Sequence, residues 1–274
     1  MSHYLTASIV TYKNSPEILR KAIQSFLDTD LEVRLYMVDN SPDDDLNTLC
    51  DDERIVYIFN NENLGFAKGH NIAIRQIQNE SIFHLILNPD VYFEKGVLEE
   101  LTAYLDKNRE VGLISPKILY PDGTLQYSCR MIPTPFDMLI RRLGLLSSLF
   151  SKRIAFQEFR FTGYTQLMEV PFFHGCFLML RNDVFQKTGL LDERYFMYME
   201  DLDFCRRVAK NQKVVFYPDV QIYHHYARAS QKKLKALQRH LTSMIQYFNK
   251  WGWFNDKERR KINTEIIQKL PSSN

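Results

Sequence analysis

The residues best able to do chemistry are carboxylates placed where apolar runs stop. Phe83-His84-Leu85-Ile86-Leu87 runs into Asn88-Pro89-Asp90, and Val91-Tyr92-Phe93 follows. A short apolar run of this kind reads as a buried strand. Pro89 cannot donate to a ladder, so the strand should end there. Asp90 then stands at the carboxyl end of a central strand, where open α/β sheets bind ligands. A carboxylate in that position can hold a hard divalent cation against a phosphate oxygen. Asn, Pro and Asp are also turn residues, and a plain strand-ending turn is the competing reading. Further on, Glu200-Asp201-Leu202-Asp203 leads into Phe204, Arg206, Arg207 and Val208. Acidic residues suit the first turn of a helix, but a carboxylate pair there can also supply a general base. His224-His225 ends another apolar run; one of the two could serve as a metal ligand, or both could be satisfied by packing.

The elements that must position these groups alternate. Leu5–Val10 is a β-rich run ending in Thr11-Tyr12. Ser15 and Pro16 then start a helix with Leu19, Ala22, Ile23 and Phe26 on its buried face. Val33–Val38 ends in Asp39-Asn40-Ser41, and Ile55–Phe59 is a third strand. A helix follows Gly65, then comes the strand before Asn88. This order predicts a mostly parallel sheet covered on both faces by helices. Parallel strands deliver their carboxyl ends to one edge, so Thr11-Tyr12, Asp39-Asn40 and Asn88-Pro89-Asp90 should meet there. Helix 96–107, a strand at Val111–Ser115 and a hairpin around Pro121-Asp122-Gly123 come next. Val214–Tyr217 and Val220–Tyr223 read as two short strands leading to the histidine pair. No G-x-G-x-x-G follows the first strand and no G-x-x-x-x-G-K-[ST] occurs, which disfavours a dinucleotide-binding fold and a P-loop enzyme.

Composition narrows the class. The chain has 274 residues, 45% of them hydrophobic, and a formal net charge of only +2. That is enough for one α/β domain or two smaller ones. Cys50, Cys129, Cys176 and Cys205 form no Cys-x-x-Cys, which argues against a zinc site and for a reducing compartment. Residues 1–10 lack signal-peptide character, and no apolar run approaches the ~20 residues that span a bilayer. Charge is uneven, with acids in the first sixty positions and bases towards the end. Residues 131–165 carry Met138, Leu139, Leu143, Leu146 and Phe150 at helical spacing among Arg141, Arg142, Lys152 and Arg153. They read either as a core helix with a basic outer face or as an interfacial helix or lid meeting lipid. A second amphipathic helix, Lys232–Trp251, ends near Trp253 and Phe254, where aromatics would suit a membrane interface.

Ile9-Val10-Thr11-Tyr12, Val38-Asp39-Asn40-Ser41, Asn63-Leu64-Gly65-Phe66-Ala67-Lys68-Gly69-His70-Asn71, Asn88-Pro89-Asp90, Gly175–Arg181, Gly189-Leu190-Leu191-Asp192-Glu193 and Phe196–Asp203 follow in a specific order. With these marks the sequence resembles an inverting family 2 glycosyltransferase of the GT-A fold, in the bacterial rhamnosyltransferase-like branch, over nearly its whole length. The resemblance implies a catalytic domain over 1–225, with a nucleotide-binding half 1–115 and an acceptor half 116–225 bearing the 131–165 lid, then a helical extension 226–274. It implies that Thr11, Tyr12, Asp39 and Asn40 hold the nucleoside of a sugar nucleotide, with Gly65, Lys68 and Asn71 lining the pocket. Asn88-Pro89-Asp90 would stand for the family's Asp-x-Asp, Asp90 binding Mg²⁺ or Mn²⁺, with His224 near a further metal or phosphate contact. Asn88 replaces the first acid of that motif. Asp201, beside Glu200, would be the general base. The implied donor is dTDP-rhamnose or a UDP-hexose. The implied acceptor is a lipid-linked polysaccharide precursor of O-antigen or capsule type at the inner membrane surface; no nucleic-acid partner is expected. Two rivals remain: a sugar nucleotidyltransferase, disfavoured because Thr11–Pro16 holds no glycine, and a non-catalytic binding subunit, hinted at only by Asn88.

Overall fold

Alternating side chains in the central strands bury both faces of one sheet, and this sets the architecture of the computed structural model. The structure describes residues 3–77, 80–141, 148–225 and 234–270. Strand β1 (His3–Thr11) lies between β2 (Val33–Asp39) and β4 (Ser81–Leu87), and β3 (Ile55–Phe59) flanks β2; all three pairings are parallel. Beyond β4 come β10 (Phe177–Arg181), β6 (Val111–Leu119), β11 (Lys213–His224) and β5 (Val91–Phe93). A short β8 (Met168–Glu169) also pairs with β11, and β7 (Cys129–Arg130) with β9 (Phe172–Phe173) forms a separate ribbon.

In β4, Leu85 and Leu87 point into one apolar core and Ile86 into the other, the period-2 alternation of a strand. Helices α1 (Pro16–Leu27) and α3 (Val97–Lys107) close the first face. The second is closed by α2 (Phe66–Gln76), α6 (Asp183–Thr188), α7 (Glu200–Val208), α8 (Leu234–Trp251) and α9 (Lys257–Lys269). Helices α4 (Pro135–Ile140) and α5 (Ser151–Gln157) belong to the excursion between β7 and β8.

The expectation of parallel strands holds for β3-β2-β1-β4 and for β6 with β11, while β10 runs antiparallel to both its neighbours. The chain reaches β10 from the excursion and not from a crossover helix, so nothing requires it to run with β4. Val214–Tyr217 and Val220–Tyr223 are one strand, not two: the register slips between Tyr217 and Gln221, so Pro218 falls within a bulge. The predicted hairpin is reduced to a turn with a single bridge, Leu119 to Leu125. In the excursion α4 stops at Ile140; Arg142, Leu143 and Leu146 lie outside the described residues, as do Lys232 and Lys233 ahead of α8.

Under α2 the second face carries a polar seam. His84 bonds Thr6 Oγ1 through Nδ1 and Ser8 Oγ through Nε2, each at 2.9 Å, and Ser8 Oγ meets His70 Nδ1 at 2.7 Å. All four side chains are fully buried. Burial pushes the His84 pKa down to about 3 and that of His70 well below the usual imidazole range.

The C-terminal helices are fastened by charge. Fully buried Arg206 donates to both Asp256 oxygens at 2.7 and 2.6 Å, and its guanidinium lies 4.0 Å from the Trp251 ring centroid. Lys250 bridges Asp192 and Asp203 at 2.8 and 2.6 Å. A buried charge without its partner is strongly unfavourable, so these pairs fix where α8 and α9 sit.

Candidate functional site

Parallel pairing puts Thr11 and Asp39 side by side at the ends of β1 and β2. Thr11 Oγ1 donates to Asp39 Oδ1 at 3.0 Å, the Ser41 amide donates to the same oxygen at 2.9 Å, and Tyr57 OH donates to Oδ2 at 2.8 Å. Asp39 is fully buried and has no bond-free oxygen, so it is a rigid acceptor at the floor of the edge. Tyr57 is a partner that sequence reasoning missed; its alternation in β3 toward the Asp39 register was the available signal. Asn40 donates to Gly65 O at 3.2 Å and accepts from Asn60 at 2.8 Å. Above this floor Tyr12 leaves its ring 47% exposed, and Lys68 is exposed.

Gly65 has φ +84°, and a Cβ there would lie 2.3 Å from the Phe196 carbonyl oxygen. Only glycine tolerates that backbone and that approach. The Phe66 amide donates to the same oxygen at 2.9 Å. The loop before α2 is thereby tied to the Phe196–Asp203 stretch, far away in sequence. Asn71 adds a second tie: it donates to Leu191 O at 2.8 Å and to Glu193 at 2.9 Å, and accepts from the Leu191 amide at 3.1 Å. Its amide is spent on this loop and is fully buried.

The Asn88 amide donates to Cys176 O at 2.9 Å, joining the end of β4 to the start of β10. Asp90, 24% exposed, faces His224, with Nε2 to Oδ1 at 3.4 Å. Gln126 orients the imidazole: its Oε1 is 3.0 Å from Nδ1, and its Nε2 donates to His224 O at 2.7 Å. Burial works against a charged His224, but Cys176 and Asp90 outweigh it and push its pKa up to about 10. Of these two, Asp90 brings a carboxylate oxygen towards Nε2. His225 turns aside; its ring lies 5.5 Å from that of Tyr92 and its amide donates to Asp90 O at 3.0 Å. Of the two histidines, His224 is the one that presents its ring to Asp90. No three His, Cys, Asp or Glu side chains gather among the described residues. A cation held by Asp90, which His224 could join only by giving up its proton, would therefore draw its other ligands from phosphate and water, which suits Mg²⁺ or Mn²⁺.

The carboxylates at the start of α7 differ. Asp201 is half-buried; its Oδ2 accepts from the Gly175 amide at 3.0 Å and its Oδ1 from the Leu202 amide at 2.8 Å. Burial raises its pKa, and these amides pull part of that back. A Cβ on Gly175 would come within 3.0 Å of Asp201 Cβ, so the close approach needs glycine. Glu200 is buried, and its Oε2 has no hydrogen-bond partner among the described residues. Burial first, then the neighbouring Asp201 charge, lifts its pKa well above the carboxylate range. The helix is approached through Tyr198 and Met199 at φ 70° and 71°, a left-handed pair without glycine. Such strain costs about 1–3 kcal/mol per residue and collects at functional sites. Asp203, by contrast, is taken up by Arg207, Trp251 and Lys250. Contacts therefore run from Asp201 through Gly175 and Cys176 to Asn88, and Asp90 with His224 lies two residues on.

The sequence profile described as "Glycosyl transferase family 2" matches residues 8–189. The chain is 32% identical over 210 residues to the "Low-salt glycan biosynthesis hexosyltransferase" of Haloferax volcanii, covering 75% of this chain and 62% of that protein, so it spans about three fifths of that relative. It is 26% identical over 247 residues to the "N-acetylglucosaminyl-diphospho-decaprenol L-rhamnosyltransferase" of Mycobacterium tuberculosis, covering 84% of this chain and 78% of that one. The crystal structure of GalNAc-T7 with UDP, GalNAc and Mn²⁺ superposes with a TM-score of 0.61 at 14% identity, over 82% of this chain and 43% of the other, which is a likeness of fold.

Proposed function

The chain belongs to glycosyl transferase family 2, and from that premise we propose that it moves a sugar, with inversion, from a nucleoside diphosphate to a hydroxyl of a lipid-linked cell-surface glycan precursor. The donor is dTDP-rhamnose or a UDP-hexose, and the protein works at the inner face of the cytoplasmic membrane. One observation carries the reading. The half-buried carboxylate of Asp201, its pKa raised, is joined by a short run of backbone contacts to the strand end that bears Asp90.

In this reading the Asp39 floor, with Thr11 and Asn40, seats the nucleoside, and the exposed Tyr12 ring stacks on the base. Gly65 and Asn71 keep the loops around the pocket in place, and Lys68 faces the phosphates. Asp90, with Asn88 and His224, meets the diphosphate end of the donor. A divalent cation bound there would neutralise the departing diphosphate. Asp201 takes the proton from the acceptor hydroxyl as its oxygen bonds to the anomeric carbon and the bond to the diphosphate oxygen breaks. A raised pKa brings the base nearer to neutral pH, where proton transfer is most effective. Glu200 stays protonated beneath it and leaves Asp201 as the ionised partner.

The test is a donor panel read by thermal stabilisation with Mg²⁺ or Mn²⁺. A ligand at a hundred times its Kd stabilises by about 2.7 kcal/mol. We expect one donor to give a metal-dependent shift that Asp90→Ala loses. Asp201→Asn should keep the shift but lose transfer by roughly 100- to 10,000-fold. No shift with any dTDP- or UDP-sugar would refute the assignment.

A further inference from the structure

Glu158 follows α5, is buried, and receives three guanidinium groups. Arg130 Nη2 lies 3.3 Å and Arg141 Nη1 2.7 Å from Oε1, while Arg160 reaches Oε2 through Nε at 2.7 Å and Nη2 at 2.5 Å. One carboxylate cannot balance three cations. Another buried acid, Asp137, is already taken by Arg153 at 2.7 Å and by Thr134. The guanidinium groups thus outnumber the carboxylate, and the excess lies towards the partly exposed Arg141 and Arg160, where an anion from solution can join it.

The cluster is graded. The side chains of Arg130, Arg141 and Arg160 are 11%, 27% and 44% exposed, so it leads from the interior to solvent. Its inner end abuts the carboxylate site. Arg130 lies opposite Phe172 in the β7–β9 ribbon, and the next turn of that ribbon gives His174 and Gly175, the residue that holds Asp201. Arg130 is near enough to favour the Asp201 anion. Beside the cluster opens a pocket of about 410 Å³ lined by the apolar Met131, Phe156 and Ile267 and by the polar Gln157, Asn263, Thr264 and Gln268. Met131 and Gln157 are the chain neighbours of Arg130 and Glu158. That volume falls in the range of small-ligand pockets.

The ligand that fits has a strongly anionic group for the arginines, an apolar chain for the cavity, and a third part reaching Asp201. We infer that Arg130, Arg141 and Arg160 form the subsite for the diphosphate of a prenyl-diphosphate-linked acceptor, with the first part of its prenyl chain in the adjoining cavity. This rests on the transfer reading above and adds the acceptor side to it. Guanidinium forks match phosphate oxygens in pairs. Glu158 holds the forks in place and tempers their charge, so that the product can leave.

The diphosphate of the donor is the other source of the same chemistry, and the experiment separates them. Farnesyl diphosphate is titrated calorimetrically into the full chain, alone and with excess UDP or dTDP. Binding that persists with nucleotide present is expected, weakened tenfold or more in Arg141→Ala and in Arg160→Ala. Each variant leaves two arginines on Glu158, so the buried carboxylate stays paired. Glu158→Gln should tighten the binding, because the site loses the carboxylate that all three guanidinium groups share; a purely structural cluster gives no gain. Nucleotide affinity should stay the same in both arginine variants. Displacement of farnesyl diphosphate by nucleotide, or affinity indifferent to the arginines, overturns the subsite. A failed donor reading would show separately, as absent UDP and dTDP binding, and would not touch the farnesyl diphosphate arm.

Discussion

Glu200 and Asp201 are adjacent in sequence and opposite in environment. Asp201 reaches two amides, whereas Glu200 has an oxygen with no partner among the described residues. The pair was legible as carboxylates at a helix start, but the division of labour between them was not. It depends on the Gly175 amide, which comes from a distant part of the chain. The same holds for Gln126 and its grip on His224, and for the three arginines on Glu158. Side chains at strand and helix ends announce themselves by type, while their partners arrive through tertiary contacts that no local spacing encodes. The environment of Glu200 has a measurable cost. Its pKa is higher folded than unfolded, so its contribution to stability is full below about 4.5 and is lost as pH rises above that value. Glu200→Gln has no such loss. The gap in urea-unfolding free energy between the variant and the parent should widen between pH 5 and pH 8, by at most about 1.4 kcal/mol per pH unit. A gap independent of pH would mean that Glu200 is not held protonated.

At the scale of elements, the β/α alternation of the first hundred residues and most helix starts could be read from apolar period and capping residues. The entry of β10 from the opposite direction could not, because Phe177–Leu180 is an unbroken apolar run and such a run carries no direction. Nor could the merger of two short strands across Pro218, which a bulge absorbs. The junction between the Gly65 loop and Phe196 is the element-level feature with the most leverage. Gly65→Ala would force both a backbone region reserved for glycine and a clash with a carbonyl oxygen. It should cost about 2–4 kcal/mol in urea unfolding and weaken nucleotide binding, since the loop before α7 must shift. An alanine variant with native stability and native nucleotide affinity would show that the junction gives way freely.

At the scale of the whole molecule, the excursion between β7 and β8 is rich in exposed apolar side chains. Phe136, Leu139, Leu149, Phe156 and Phe161 are all exposed on the excursion, Leu149 by 77%, and Arg153 lies over the Phe136 ring. Among the described residues no helix is long and apolar enough to cross a membrane. Aromatic and basic side chains on one surface suit the headgroup region of anionic lipid. The protein should float with vesicles containing anionic lipid and release as salt rises; a fraction bound equally at low and high salt, or never bound, would contradict this. Under α2 the His70–Ser8–His84 seam governs a different property. Both imidazoles are neutral when folded and titrate near 6.5 when unfolded, so acid favours the unfolded chain. Between pH 7 and pH 5 each should subtract about 2 kcal/mol, and His84→Gln should remove its share of that slope in urea titrations. The lower bound of the pH at which the fold holds is thus set inside the central sheet, several residues away from the proposed reacting groups, and a screen for acid-tolerant variants would find its best substitutions there.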